Sequence, residues 1–569
     1  MIYCIGEIAI LVLLSGTLLL DESHRPRARE VLRRARQAIE AMPEGFSADF
    51  FQPEATRDML KAEALRDIAL AMAESGDIAE AMRTAELLPP QIPYAARARI
   101  DCDLAIAKAQ AKAGDRRAAA ATLRQALEAT ARWSDAALRV DYLVRIAIAQ
   151  AQVGEKEAAT ATARQALAAT DLIPLVRSRN SRVAGQNKAL ALHSVALAQE
   201  AAGDRAGAEA TRHLALDAAS AIEDEPGRAG LLAEMAIERA RAGDITGGLQ
   251  LLDRIPGEGA GLPSHTWAHV LAQFALILDR EKDQLGALRM VARIADPHQR
   301  ALALLDLARS RLGASDRAQA RIALQEALRA IASLSNPLTK GVLQGRVAAA
   351  QADAGDRSAA AAMARQALQG IEQALQSRRT TLTDLRNAIL GDPGAPPDEA
   401  PMLAAIAPAF IKIGDTTTAR DLLRRAQSSA EAIKDGVAKT TALGEVAILF
   451  AEIGDPAAAT LIYDRIDPRY NGLRARLAEA IAAAQARSGD MAQALCTVAT
   501  LPSDPKDLRG HIEIAERIAA TLIRAGRVEW SLQWAEGQAI PLAKARALLG
   551  AGRALLEPER PAEGTAIEP

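Results

Sequence analysis

The sequence has 569 residues, of which 50% are apolar but only 3% are aromatic, and its formal net charge is −2. Because aromatic side chains supply much of the buried area of a large globular core, their scarcity favours thin helical layers built from Ala, Leu, Ile and Val. The near-neutral charge argues against a dedicated nucleic-acid-binding protein, which normally carries a strong excess of cations. Three scattered cysteines form neither a disulfide framework nor a metal motif, and we expect Cys102 and Cys496 to be small buried residues.

An uncharged apolar run, Ile8–Leu20, lies near the start of the sequence and is followed by six arginines between Arg25 and Arg36. We interpret residues 1–20 as a membrane anchor or an export signal, with a packed capping helix as the alternative. In an anchored protein the arginines would hold the rest of the chain on the cytoplasmic side. This interpretation predicts a membrane-associated protein, and the alternatives are an exported or a fully cytoplasmic one.

Residues 21–59 are predicted to form N-terminal capping helices. They contain Phe46, Phe50 and Phe51, half of the six phenylalanines of the sequence. We expect these rings to seal the open end of a stack of repeats, and a docking patch for a partner is the alternative.

From residue 60 onward a dipeptide resembling Gly-Asp recurs, within stretches as similar as IAKAQAKAGDRRAAAATLRQAL and VAAAQADAGDRSAAAAMARQAL. We call its first residue the corner residue, because Gly ends one helix in a left-handed turn and Asp then caps the next. Successive corners are 33–40 residues apart, apart from one spacing of 49 and one of 59. Ten corner residues are Gly and two are degenerate: Gly76, Gly114, Gly154, Gly203, Gly243, Lys282, Ser315, Gly355, Gly414, Gly454, Gly489 and Gly526.

Two columns of small residues accompany the corners. The residue seven places before each corner is always Ala, and a larger apolar residue precedes it. The residue five places after each corner is Ala except for Gly248 and Ser531. Small residues on two facing helices let their axes approach closely. Each unit is therefore predicted to be an antiparallel pair, with helix A before the corner and helix B after it.

This period predicts an all-α fold, a right-handed α-solenoid of about twelve antiparallel helix-pair repeats with a period of about 38–40 residues. Repeats 1–8 occupy residues 60–390 and repeats 9–12 occupy residues 402–552. A linker rich in Pro and Gly, residues 391–401, separates the two groups, and residues 553–569 are predicted to be a disordered tail.

The pattern resembles the tetratricopeptide repeat family across roughly residues 60–540. The resemblance rests on Ile106-Ala107 ahead of the corner Gly114-Asp115, and on Ala119 and Ala126-Leu127 after it. The sequence departs from the family in its longer period and in a column where Gln110, as in four other repeats, stands where the family has Tyr. The resemblance implies a binding scaffold with a concave face lined by helices A, and it implies no catalysis.

The position six places before the corner lines the groove in that family. Six apolar residues occupy it here and are the candidate partner-binding residues: Leu70, Ile148, Leu197, Ile237, Leu276 and Ile448. They would suit an amphipathic helix or an extended peptide. The alternative is that they pack between neighbouring helices A.

The motifs expected of an enzyme are missing from the sequence. His265 and His269 have the spacing of a helical metal pair, but Thr266 stands where a zinc protease needs Glu as general base. We find no phosphate-binding loop and no nucleophile motif, so we predict no catalytic residues, no metal and no cofactor.

These observations predict a non-enzymatic scaffold that binds a protein or peptide partner. One alternative is an envelope assembly or secretion factor anchored through residues 1–20. An RNA-binding helical-repeat protein is a second alternative, against which the charge argues.

Overall fold

A computed structural model describes residues 24–42, 54–88, 93–173, 181–255, 262–387, 399–490, 493–497 and 508–557, except for positions 132, 468, 491, 492, 495 and 539. The described residues form helices and connections, with no strand among them. The helices, which we number in chain order, are α1 (Arg25–Glu40), α2 (Glu54–Ser75), α3 (Ile78–Glu86), α4 (Pro93–Lys112), α5 (Arg116–Thr130), α6 (Ala136–Val153), α7 (Lys156–Thr170), α8 (Ser181–Ala202), α9 (Arg205–Ser220), α10 (Glu225–Arg241), α11 (Ile245–Leu252), α12 (Ser264–Arg280), α13 (Gln284–Ala292), α14 (Pro297–Gly313), α15 (Arg317–Ala332), α16 (Pro337–Asp353), α17 (Arg357–Asn387), α18 (Glu399–Ile413), α19 (Thr416–Glu431), α20 (Gly436–Glu452), α21 (Pro456–Tyr463), α22 (Asn471–Ser488), α23 (Leu508–Arg524), α24 (Val528–Glu536) and α25 (Pro541–Leu556).

All twelve predicted corners have left-handed backbone. The ten corner glycines have φ between 75° and 98°, and Lys282 and Ser315 have φ of 66° and 62°. Among the described residues, Lys282 and Ser315 are the only non-glycine residues with positive φ. The left-handed corner therefore recurs even where the sequence lacks Gly, and the predicted all-α helix-pair fold is confirmed.

The Asp that follows a corner caps helix B. Nine of the ten such residues accept a hydrogen bond from the backbone N–H three places further on, as Asp115 does from Ala118 at 2.9 Å. Such a cap satisfies one of the backbone donors that a helix leaves open at its start. Asp77 is the exception, and its carboxylate instead accepts two hydrogen bonds from Arg33 at 2.8 and 3.1 Å.

The two small columns meet at the contact between helix A and helix B. Every residue in both columns is buried. A Cβ added to Gly248 would lie 2.7 Å from the carbonyl oxygen of Ala236, and the Ser531 hydroxyl donates to the carbonyl of Ala519 at 2.8 Å. A side chain larger than Ala or Ser would separate the two helices, which explains why the sequence keeps both columns small.

Polar pairs replace some of the aromatic residues typical of tetratricopeptide repeats. The Thr122 hydroxyl donates to Gln110 Oε1 at 2.9 Å, and Thr497 donates to Gln485 Oε1 at 2.8 Å. Each pair joins helix A to helix B of one repeat and is buried. In these two pairs the hydroxyl supplies a hydrogen-bond donor to the buried amide oxygen without a bulky ring.

The chain divides into two compact units. Unit 1 comprises Met1–Met235 with Ser503–Pro569, and unit 2 comprises Ala236–Pro502. In unit 1 the core is made chiefly of Ala, Leu and Ile, including Leu32, Ile68 and Leu548.

In unit 2 the largest fully buried side chains are Phe274, Phe410 and Phe450. There α18 packs directly against α16 and α17, and a Cβ added to Gly345 of α16 would lie 2.9 Å from Ile406 of α18. The helix A before the predicted linker (α16) and the helix A after it (α18) thus stack side by side.

Several predictions fall outside the described residues. They concern the apolar segment 1–20, the phenylalanines at positions 46, 50 and 51, most of the linker 391–401, and the tail from residue 558 onward. Of the linker, residues 399–401 form the start of α18, and of the predicted disordered tail, residues 553–556 form the end of α25.

One of the two cysteine predictions is wrong. Cys102 is buried as expected, but Cys496 is exposed. Cys496 lies seven places after its corner, where Leu461 and Ile322 of other repeats are also exposed. This column is on the outer face of helix B, so an apolar residue there remains accessible.

The substitution Ala348→Phe tests the contact between the two small columns. Ala348 and Ala360 are both fully buried in their repeat, so we expect overpacking to lower the free energy of unfolding by about 1–3 kcal/mol. Thermal denaturation followed by circular dichroism measures the change. Ala349→Phe, one residue further along and only half-buried, is the matched control. Equal melting temperatures for the two variants would contradict the proposed contact.

Candidate interaction surface

Helices A present one accessible face. The residues 13, 9, 6 and 2 places before the corner are mostly half-buried or exposed, whereas those 8 and 7 places before it are buried in every repeat. Spacings of four, three and four residues keep side chains on one side of an α-helix. We call this surface the helix-A face. Its side chains vary from repeat to repeat, while the buried positions repeat almost unchanged.

The six predicted partner-binding residues all lie on the helix-A face. Leu70, Ile148 and Leu197 belong to unit 1, and Ile237, Leu276 and Ile448 belong to unit 2. Each of the six is half-buried, between a fully buried neighbour and solvent. Each of them contacts the core and also has accessible apolar surface. Their position therefore fits both predicted roles, which are partner binding and packing between neighbouring helices A.

The same column also contains residues that interrupt an apolar groove. Lys108 and Arg309 occupy it in two repeats and are exposed, and Ala483 and Ala520 are buried. In unit 1, Ile148 of α6 and Leu197 of α8 are on neighbouring helices. They form the longest continuous apolar part of this column within unit 1.

The helix-A face of unit 1 also bears a row of acidic residues that sequence reasoning missed. Glu63, Asp101 and Asp141 stand 13 places before the corners of three consecutive repeats. The spacing of these acids can be read from the sequence, but only the structure shows that they share a face with the apolar residues six places before the corner. Asp101 forms an ion pair with Arg145 at 2.8 Å, and both side chains are 14% exposed.

Aromatic rings and cations lie beside the acidic row. The guanidinium of Arg145 stands 4.7 Å above the ring of Tyr142, which meets Trp133 edge-on at 4.9 Å between centroids. Two arginines, Arg66 and Arg97, approach the ring of Tyr94 at 5.8 and 6.0 Å. Aromatic faces favour cations, so this part of unit 1 already uses that chemistry within the chain.

Partial burial changes the acidity of this surface. Burial raises the pKa of Asp141, which Arg145 opposes and Asp101 reinforces. Burial also raises the pKa of Glu74, against the opposing charges of Arg553 and Lys108. An additional cation nearby stabilises the charged form of a partly buried carboxylate whose pKa is raised. Asp141 and Glu74 would therefore be stabilised in their charged forms by an additional cation.

The predicted absence of catalytic chemistry rests on the sequence. His265 and His269 are both exposed on α12. Among the described residues there is no group of three or more His, Cys, Asp or Glu side chains arranged to hold a metal ion. None of the helices within that part of the chain combines the length and the apolar character needed to cross a membrane.

Unit 2 contains a shallow cavity of about 390 Å³. It forms between α13, α14 and α15, where α13 ends at Ala292 and leaves Leu285, Leu288 and Leu304 along its wall. Arg289, Arg300 and Arg329 line it as well. Leu285 is 66% exposed, so the cavity is an open depression rather than an enclosed ligand site.

Comparisons with known proteins give no family. No protein-family model matches the chain, and no curated protein matches it. Solved structures that match include Ton1535 from Thermococcus onnurineus NA1, with 17% identity over 63% of this chain and 94% of that one, at a TM-score of 0.26. A structure of Naa15/Naa10 bound to HypK-THB has 16% identity over 90% of this chain and 75% of that chain, at a TM-score of 0.29. Yeast Tom70 has 13% identity over 81% and 96%, at a TM-score of 0.27.

The helix pairs described above are themselves of the tetratricopeptide-like kind. The left-handed corner, the capping Asp and the two small columns occur at the spacing on which the resemblance was based. The chain is a helical-repeat protein with a tetratricopeptide-like fold.

Asp103 gives a pH-dependent prediction for unit 1. Burial raises its pKa to about 6, although Arg99 Nε donates to its carboxylate at 3.2 Å. The folded state therefore binds this proton more tightly than the unfolded state, and stability falls as the pH rises from about 3.8 to about 6. We expect Asp103→Asn to stabilise the protein at neutral pH, by at most about 3 kcal/mol, and to have little effect at the acidic end.

Melting temperatures of the variant and the wild type across this pH range measure the difference. Asp115→Asn is the matched control, because Asp115 is an exposed cap and Asn caps a helix equally well. A difference between Asp103→Asn and wild type that does not change with pH would contradict the prediction.

Proposed function

We propose that this chain is a non-enzymatic interaction scaffold that binds a peptide, a helix or a partner domain on the helix-A face. The observation that carries the proposal is that six apolar side chains stand half-buried at one register of their helices. Apolar residues elsewhere on helices A are mostly buried in the core. Accessible apolar side chains in a constant register offer evenly spaced contacts to an elongated ligand.

Unit 1 supports a more specific ligand. There Ile148 and Leu197 lie on neighbouring helices, and Asp101 and Asp141 lie on the same face. Apolar contact provides affinity, while charge complementarity selects the ligand and its orientation. The chemistry fits a peptide or helix with apolar side chains along one edge and Lys or Arg along the other.

The same acidic row weighs against RNA as the ligand. Helical-repeat proteins that bind RNA neutralise phosphates with a cationic face, whereas Glu63, Asp101 and Asp141 form a row of carboxylates on the helix-A face of unit 1. Strong binding of single-stranded RNA that weakens with salt would contradict the proposal of a peptide ligand.

Photo-cross-linking tests the helix-A face directly. A photoreactive amino acid at Leu197 of the full-length protein should form a covalent product with the partner in cells. The same amino acid at Leu214, which is 50% exposed on helix B of the same repeat, is the control and should not form it. A product formed equally at both positions, or only at Leu214, would contradict the proposed face.

The cross-linked partner then allows a test by mutation. We expect the double substitution Ile148→Asp and Leu197→Asp to weaken partner binding at least tenfold, because it places charge in the apolar part of the face. Leu214→Asp should leave binding unchanged. Melting temperatures of both variants control for misfolding, and the milder Leu197→Gln preserves the test if the double variant unfolds. Unchanged affinity in every folded variant would contradict the proposal.

A second candidate function follows from the uncharged run Ile8–Leu20. We propose, as the alternative, an envelope assembly or secretion factor that residues 1–20 anchor to a membrane, with the repeats on the cytoplasmic side. The expected result is a protein that stays with the membrane pellet after carbonate extraction. A fully soluble protein that retains Met1 would rule out this alternative and leave the scaffold proposal untouched.

A further inference from the structure

Helix α1 has the residue pattern of a helix B, although no helix A precedes it among the described residues. Its buried residues Ala28, Val31, Leu32 and Ala35 have the same spacing as four buried residues of helix B in the second repeat. Those four are Ala119, Thr122, Leu123 and Ala126 of α5. His24 takes the capping place that Asp115 takes in α5.

Helix α25 occupies the position of a helix A beyond the twelfth repeat. It packs against α23, the helix A of that repeat, and against α1 and α2. A Cβ added to Gly550 would lie 2.0 Å from the backbone oxygen of Glu516 in α23, and one added to Gly552 would lie 2.7 Å from Leu32 in α1. The C-terminal half of α25 therefore meets the N-terminal half of α1, as in an antiparallel helix pair.

Ion pairs place α1 in the row of helices B. On one side Arg27 and Arg34 pair with Glu529 and Glu536 of α24, the second pair at 2.5 Å. The helix that bears these two acids is the helix B of the twelfth repeat.

On the other side, Arg33 and Arg36 pair with Asp77 at 2.8 Å and with Glu80 of α3 at 3.2 Å. Helix α3 is the helix B of the first repeat. Arg29 adds two hydrogen bonds to the carbonyl oxygen of Ser75, at 2.6 and 3.0 Å. Five of the six arginines between positions 25 and 36 thus meet acidic or carbonyl groups of the twelfth and first repeats.

A buried charge network places α25 in the row of helices A. Arg546 of α25 binds Asp67 of α2 at 2.6 Å and Glu516 of α23 at 3.1 Å, and Arg553 binds Glu516 at 2.9 Å. Arg546 and Asp67 are each only 9% exposed. Breaking a buried pair is costly because one charge is left uncompensated, so these contacts join the first and twelfth repeats firmly.

We infer that α25 and α1 form one repeat whose two helices come from distant parts of the sequence, and that the seat of α1 is a binding site for a basic amphipathic helix. Residues 25–40 of the same chain occupy the site. The site recognises an apolar edge like that of Ala28, Leu32 and Ala35. The arginines on either side of that edge pair with acidic residues of the two neighbouring repeats, namely Asp77, Glu80, Glu529 and Glu536.

In this arrangement α1 is a helix B that no corner joins to its helix A. Apart from the long intervening chain, only non-covalent contacts hold α1 against α25. In the other repeats, the corner joins helix A to helix B directly. The seat can therefore be vacated while the chain stays intact. A second helix with the same pattern of arginines and small apolar residues would compete for it.

Hydrogen exchange of the full-length protein, measured by mass spectrometry, tests the pairing of α1 with α25. We expect Gly552→Leu to raise the exchange rate of residues 25–40 at least tenfold, because the new side chain would overlap Leu32. Adding Leu32→Ala should restore protection. Gly370→Leu is the control, since a Cβ there meets nothing within 4 Å. Unchanged exchange in 25–40 with Gly552→Leu would overturn the inference.

A labelled peptide of residues 24–42 tests the binding site. In full-length protein with Arg33→Glu and Arg36→Glu, the resident helix should leave its seat, and the peptide should bind at least tenfold more tightly than to the wild type. The same peptide with both glutamates should not bind. Equal binding of the two peptides would overturn the inference, as would a dimer in which residues 25–40 of one copy occupy the seat of the other.

Discussion

The structure depends on the close contact between helix A and helix B of each repeat. A left-handed corner reverses the chain within two or three residues, and two columns of small residues then let the helices touch along their backbones. A Cβ at Gly248 would already lie 2.7 Å from a carbonyl oxygen of the facing helix. The stacking of helices A from one repeat to the next requires the distance between helix A and helix B to stay constant.

Because this contact requires small residues at the buried positions, the sequence varies from repeat to repeat mainly at the accessible positions. On the helix-A face, Ile148 and Leu197 are partly accessible, and the neighbouring positions bear carboxylates such as Asp101 and Asp141. In the scaffold that we propose, the corner and the small columns would determine where a ligand binds, and the variable residues would determine which ligand it is. A protein of this kind can change partners without changing its core.

The pairing of α1 with α25 applies the same contact at a distance in sequence. Gly552 beside Leu32 repeats the close approach seen within ordinary repeats, and arginines on α1 compensate acids on the helices to either side. A stack of repeats normally leaves apolar surface at each end, which must be capped. In unit 1 the seat between the twelfth and first repeats is filled by this additional helix pair.

The sequence by itself determined the repeat, because its signals are local. Even the degenerate corners Lys282 and Ser315 could be placed from their spacing, and both have the left-handed backbone that the pattern requires. The register of Leu70 and Ile148 on the helix-A face followed in the same way. Only the tertiary structure showed that the acidic row shares this face, that Cys496 is exposed, and that Arg33 and Arg36 meet Asp77 and Glu80. Contacts such as that of Arg546 with Asp67 join residues hundreds of positions apart, and no local pattern of residue types encodes them.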